Sequence, residues 1–159
     1  MIFITLGSQK FQFNRLLIAI DRLIENKVIT DKIFAQTGYS DYKPRNYEYK
    51  KFLDKNNFDK ITNMSDIVIT HGGTGAIIGA VKKGKKVIAI PRMKKYGEHV
   101  DDHQLQLVKQ FKNLNLICEC NNCEKLGEAL LIVKNTQYES YQSNTQKIID
   151  SIENFIEEC

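Results

Sequence analysis

The chain is expected to form one α/β domain, a Rossmann-like parallel sheet with helices on both faces, and three observations lead there. Short β-branched runs alternate with stretches whose apolar residues recur at helical spacing, the rhythm of strands joined by crossover helices. A glycine-rich run, His71-Gly72-Gly73-Thr74-Gly75, lies between a buried-strand pattern and a helix start. The 159 residues, with no linker, repeat or low-complexity segment, make a single domain over 1–159 with room for one core.

The elements follow in order. Ile2 to Leu6 is a compact apolar strand ended by Gly7-Ser8, and Phe13, Leu16, Leu17, Ile20 and Ile24 then mark a helix. Ile33 to Thr37 is a second strand closed by Gly38, and the polar, tyrosine-rich stretch from Tyr39 to Lys51 has room for a short strand. Asp66 to Thr70 reads as a buried strand running into the glycine loop. After the loop, Ala76, Ile77, Ala80 and Val81 give one helix face, which should stop at Gly84 in a left-handed conformation. Val87 to Ile90 is the next strand, ended by Pro91. Val100, Gln104, Leu107, Val108 and Phe111 mark a helix opened by Asp101 and Asp102, acidic residues suited to a helix start. Leu116 to Cys118 is another strand and Leu126 to Val133 another helix. A last helix is expected through Ile148, Ile149, Ile152, Phe155 and Ile156, apolar on one side and able to dock on a partner or on its own sheet.

Composition removes several classes of function. The formal charge of +4 is too small to argue for nucleic acid, although Lys43, Arg45, Tyr47, Tyr49, Lys50 and Lys51 interleave basic and aromatic side chains. Lysines gather at 82, 83, 85, 86, 94 and 95, a solvated helix end and loop that also suits an anionic ligand or lipid headgroup. No run approaches the roughly 18 apolar residues of a membrane span, and the N-terminus reads as a strand, not a signal peptide. These features indicate a cytoplasmic chain. Cys118, Cys120 and Cys123 lie together, but a zinc site needs a fourth ligand and Cys159 is far along the chain, so reduced thiols and no metal are expected.

Glycines between a strand and a helix N-terminus let backbone N–H groups and the positive helix end approach an anion. The expected ligand therefore carries a phosphate or diphosphate. Two known phosphate fingerprints fail. The dinucleotide pattern would need a small residue where Ile78 stands, and the P-loop-like run from Gly79 to Lys85 has Lys86 in the place of Ser or Thr, at the wrong end of a helix. The second dense segment, Pro91-Arg92-Met93-Lys94-Lys95-Tyr96-Gly97-Glu98-His99-Val100-Asp101-Asp102-His103-Gln104, offers carboxylates, amides and imidazoles of the kind that hold sugar hydroxyls.

The string from Thr70 to Gln104 resembles the donor-binding core of the family 28 glycosyltransferases, enzymes with the two-lobed GT-B fold. More narrowly, the chain resembles the small catalytic subunits of bacterial exopolysaccharide and capsule synthesis, themselves similar to the catalytic subunit of the eukaryotic split GlcNAc transferase. The resemblance implies that His71, Gly72, Gly73, Thr74 and Gly75 bind the donor diphosphate. It implies that Asp102, His103 and Gln104 contact the transferred sugar, with Gly7, Ser8, Arg92 and Tyr96 lining the cleft. A glutamate that holds the ribose in many such enzymes is replaced by Gly79.

On this reading the chain is a hexosyltransferase subunit using a UDP-sugar, with galactose the first expectation, inversion at the anomeric carbon and no cofactor. His99, Glu98 and His103 are the candidate general bases. One domain is half of a two-lobed enzyme. The resemblance therefore implies a membrane-anchored partner subunit that binds a polyprenyl-diphosphate-linked acceptor, with this chain peripheral at the inner face of the plasma membrane and a homo-oligomer an option in isolation. The competing readings are a non-catalytic nucleotide-sugar-binding subunit and, more remotely, a nucleotide-sugar epimerase.

Overall fold

In the computed structural model, which describes residues 1–144, six parallel strands form one sheet in the order β3-β2-β1-β4-β5-β6. The strands are β1 (Ile2–Thr5), β2 (Ile33–Gln36), β3 (Glu48–Lys50), β4 (Ile67–His71), β5 (Lys86–Ile90) and β6 (Cys118–Glu119). The helices are α1 (Asn14–Glu25), α2 (Lys55–Met64), α3 (Thr74–Lys82), α4 (His103–Asn113) and α5 (Leu126–Asn135). The order reverses between β1 and β4, the place where doubly wound sheets open a crevice at the carboxyl ends of their strands. This is the expected fold class.

The period-two geometry of a strand divides the core in two. Ile2, Ile4, Ile67, Ile69, Ile88 and Ile90 point to the side covered by α1 and α5, against Leu16, Leu17, Ile20, Leu126, Leu130 and Val133. Phe3, Val68, Val87 and Ala89 point to the other side, against Ile77, Ala80 and Val81 of α3, Val108 of α4, and Phe58 and Ile61 of α2. Each fully buried large aliphatic or aromatic side chain contributes about 1.5–3 kcal/mol, so near-continuous apolar runs are what a strand covered on both faces requires.

Most expected elements are present, within a residue or two at their ends. The helix stop at Gly84 is there, with φ of +68° and its N–H donating to the Val81 carbonyl at 2.9 Å. Three details differ. Helix α2 was not anticipated, because Phe58 and Ile61 are its main apolar positions. Asp54 starts it, accepting from the Asn57 N–H at 2.9 Å. Helix α4 begins at His103, leaving Val100 outside and exposed. β6 starts at Cys118, since Leu116 still belongs to the turn out of α4 and donates its N–H to the Phe111 carbonyl. The expected C-terminal helix from Ile148 to Ile156 lies outside the described residues.

The connection from β2 to β3 carries no helix and is held by one buried carboxylate instead. Asp21 of α1 accepts from the Tyr42 hydroxyl at 2.8 Å, from the Arg45 and Asn46 N–H groups at 3.0 Å each, and from Asn46 Nδ2 at 3.0 Å. No described helix is long and apolar enough to cross a membrane.

Candidate functional site

Three segments meet where the strand order reverses: Gly7-Ser8 after β1, His71 at the end of β4 with Gly72 and Gly73 after it, and the segment from Pro91 after β5. At their centre the His71 imidazole fits between two glycines. A Cβ at Gly7 would lie 2.6 Å from its Cε1, and a Cβ at Gly73 would overlap its Nε2. Gly7 also has φ of +70°, which other residues rarely adopt. Burial, then the neighbouring Arg92 cation, push the His71 pKa down to about 4. At neutral pH it is an uncharged wall of the crevice. Any positive potential for an anion has to come from elsewhere.

One source is the start of α3. Gly73 is its N-cap with no side chain closing the first turn, and Thr74 and Gly75 are exposed. Free N–H groups and the positive helix end therefore face solvent beside Gly7. A Cβ at Gly72 would lie 2.8 Å from Gln104 Cβ and 2.9 Å from Val108 Cγ2, so glycine here lets the loop rest on α4. The Gly72 N–H donates to Gln104 Oε1 at 3.2 Å, and the Arg92 N–H donates to the same oxygen at 3.0 Å. Gln104 thus braces two loops and leaves only its Nε2 for a ligand.

The segment after β5 separates the expected bases. Glu98 is fully buried and both its oxygens are engaged: Arg15 Nε donates at 2.6 Å and the Met93 N–H at 2.9 Å. It is a brace, which the sequence alone did not reveal. Arg15, reaching over from α1, also donates to the Pro91 carbonyl at 2.9 Å and to Cys123 Sγ at 3.1 Å, and its guanidinium lies 4.8 Å from the Tyr96 ring centre. Tyr96 is half exposed above this anchor. His99 Nδ1 lies 3.0 Å from Asp101 Oδ1, a contact that orients the ring, which rests against Phe11 at 5.1 Å. Asp101 also accepts the His103 N–H at 3.0 Å, while Asp102 accepts the Lys94 N–H at 2.8 Å. Hence Asp101 satisfies the first N–H of α4, while Asp102, the N-cap position, holds the loop, with Asp102 and His103 both exposed.

A cavity of about 320 Å³ adjoins the glycine loop between α2 and α3, lined by Thr5, Gly7, Ser8, Gln36, Asp59 and Gly79 among others. Gly79 opens it, because nothing lies within 4 Å of where its Cβ would be. Asp59, ion-paired with Lys83, lines this cavity and carries no motif that the sequence alone singles out. The Asp54 cap was the available signal for the helix that carries it. A larger cavity of about 650 Å³ lies against α1, lined by Arg15, Arg22, Tyr96 and Asn122 among others. None of the glycine loop borders it, so the smaller cavity is the better candidate for a phosphorylated ligand.

The three described cysteines are buried and engaged locally, Cys120 Sγ with the Asn122 carbonyl at 3.2 Å and Cys123 Sγ with Arg15. Burial pushes the Cys123 thiol up to about 11. Among the described residues no group of three His, Cys, Asp or Glu is placed to hold a metal.

Comparison with known proteins bears on this geometry. The profile of the glycosyltransferase family 28 C-terminal domain matches residues 1–158. The UDP-N-acetylglucosamine transferase subunit ALG13 of Candida albicans is 34% identical over 74 residues, covering 46% of this chain and 24% of that protein. Its Candida glabrata counterpart is 32% identical over 81 residues, covering 50% and 39%. The matched stretch therefore spans well under half of these relatives. The crystal structure of Acinetobacter baumannii MurG superposes with a TM-score of 0.58 at 17% identity, covering 95% of this chain and 49% of that one. The fold is thus shared with about half of a longer chain.

Proposed function

The chain belongs to the glycosyltransferase family 28 C-terminal domain family, and from that membership we propose that it is the donor-binding catalytic subunit of a two-chain transferase that uses a UDP-sugar. The observation that carries the proposal is the meeting of a bare helix start, a glycine-walled loop and a cavity of nucleoside size at the reversal of strand order.

The chemistry follows from that placement. Departure of a nucleoside diphosphate leaves negative charge, which the α3 N–H groups and helix end at Thr74 and Gly75 are set to stabilise. The nucleoside enters the cavity beside Gly79, where Asp59 offers a carboxylate for hydroxyl groups in place of the glutamate. Gln104 Nε2, Asp102 and His103 face the sugar. His99, oriented by Asp101, accepts the proton of the acceptor hydroxyl. Glu98 and Arg15 keep the loop in place. The acceptor is a lipid-linked saccharide held by a membrane-anchored partner. The matched relatives are named as UDP-N-acetylglucosamine transferase subunits, which moves the first donor to test from galactose to N-acetylglucosamine. Assignment to exopolysaccharide or capsule synthesis rests on the motif resemblance alone.

Calorimetric titration with UDP, UDP-GlcNAc, UDP-galactose and UDP-glucose, with dTDP and NAD as controls, tests the reading. Gly75→Asp is the matching variant. It fits open space and suits a helix start, yet sets a carboxylate against the incoming diphosphate. Selective binding of one UDP-sugar, weakened at least about tenfold in Gly75→Asp with thermal stability kept, is expected. Absence of binding with and without the partner, or binding indifferent to Gly75→Asp, sinks it.

A further inference from the structure

The Arg92 guanidinium is fully buried, yet its Nη2 makes a single hydrogen bond, to the Leu6 carbonyl at 2.7 Å, while Nε and Nη1 have no partner. No carboxylate forms an ion pair with it among the described residues. Glu98 is near enough to act on it electrostatically, but both Glu98 oxygens are already engaged by Arg15 and Met93. The Phe13 ring also lies near it, its centre 5.6 Å from the guanidinium carbon. Burial lowers its pKa only to about 10, so it stays a cation at neutral pH. An unpaired buried charge with orphaned donors is among the most costly features a core can carry, and an apolar side chain of that length would relieve it.

Its position connects it to the site already described. Leu6, which takes its one hydrogen bond, directly precedes Gly7, and Gly7 rests on the His71 ring. The Arg92 N–H shares Gln104 Oε1 with the N–H of Gly72. The cation also acts on His71, which it helps to keep neutral, so the two do not compete as charges. The guanidinium, expected from the sequence to line the cleft, is instead fully buried and stands behind the wall formed by Leu6, Gly7 and His71, with the bare start of α3 beyond that wall.

We propose that Arg92 is a specificity-determining residue whose unpaired charge, acting through the Gly7–His71 wall, selects diphosphate-bearing ligands at the α3 N-terminus. The proposal rests on the donor-site reading above. Arg92 does not touch the ligand, so its contribution scales with ligand charge and is carried by the field of a buried cation in a low-dielectric surround.

The test measures uridine, UMP and UDP binding by NMR titration, with thermal stability alongside, in the wild type, Arg92→Met, Arg92→Gln and Arg92→Lys. Arg92→Met is expected to melt at a higher temperature than the wild type while binding UDP about tenfold or more weakly, UMP a few-fold more weakly and uridine equally well. Arg92→Lys should keep most of the UDP affinity. Arg92→Gln, smaller and polar, repeats the ligand series if Arg92→Met does not fold. A wild type that binds UDP while the neutral variants bind all three ligands as well as it does, or lose all three by the same factor, overturns the proposal and leaves the donor site standing. A wild type that binds no UDP even with its partner overturns both.

Discussion

His71 titrates near 6.5 in an unfolded chain and near 4 in the folded one, because its ring is buried and lies close to Arg92. Between those values the unfolded state binds a proton that the native state does not. The stabilisation is therefore complete above about pH 6.5 and is lost as pH falls toward 4, a difference on the order of 3 kcal/mol. Urea midpoints should fall between pH 7 and pH 5, and His71→Gln should be less stable at pH 7 but flatter across that range. An equally steep profile in His71→Gln would place the titration elsewhere. At this scale the sequence pointed to residues that the fold brings together, but not to the contacts they make. His71 was legible as a member of the glycine loop, but its place between Gly7 and Gly73 depends on contact between segments more than sixty residues apart. Glu98 was one of three candidate bases, and that both its oxygens are engaged was not legible, because Arg15, which holds one of them, lies 83 residues away and belongs to no local motif.

Helices and strands were legible wherever burial on one or both faces imposed a period. That is why β1, β4, β5, α1 and α3 were found, and why α2, carried by Phe58, Ile61 and a cap at Asp54, was not. The two-residue β6 was displaced because Leu116 and Ile117 are as buried as strand residues while their backbone is still leaving α4. The contact between the glycine loop and α4 yields a prediction that belongs to these elements together. Gly72→Ala drives a methyl into Gln104 and Val108, and should cost about 1–3 kcal/mol by overpacking. It should also weaken donor binding, because Gln104 is pushed from the bond that aligns the loops after β4 and β5. Thermal melts and UDP titration of one sample check both effects. Unchanged affinity in a destabilised Gly72→Ala protein would uncouple α4 from the site.

Among the described residues the glycine loop borders a single cavity of the two described above, and the chain spans about half of the MurG chain whose fold it shares. The isolated chain is therefore expected to bind donor and transfer nothing, with turnover appearing once the partner is supplied. In that complex His99→Ala should retain donor affinity and lower turnover by a factor of about 10² to 10⁴. Full turnover in His99→Ala would assign the chemistry to the partner. The two ends of the sheet bear on how any such assembly is held. β3 has three residues, Glu48, Tyr49 and Lys50, all exposed and two of them charged, and β6 has two residues. Neither offers a ladder that a foreign strand could extend. Assembly is then expected to proceed through side-chain surfaces instead of strand pairing. A chain made in excess of the proposed partner should therefore find, at the described edges of this sheet, no ladder to extend into fibrils.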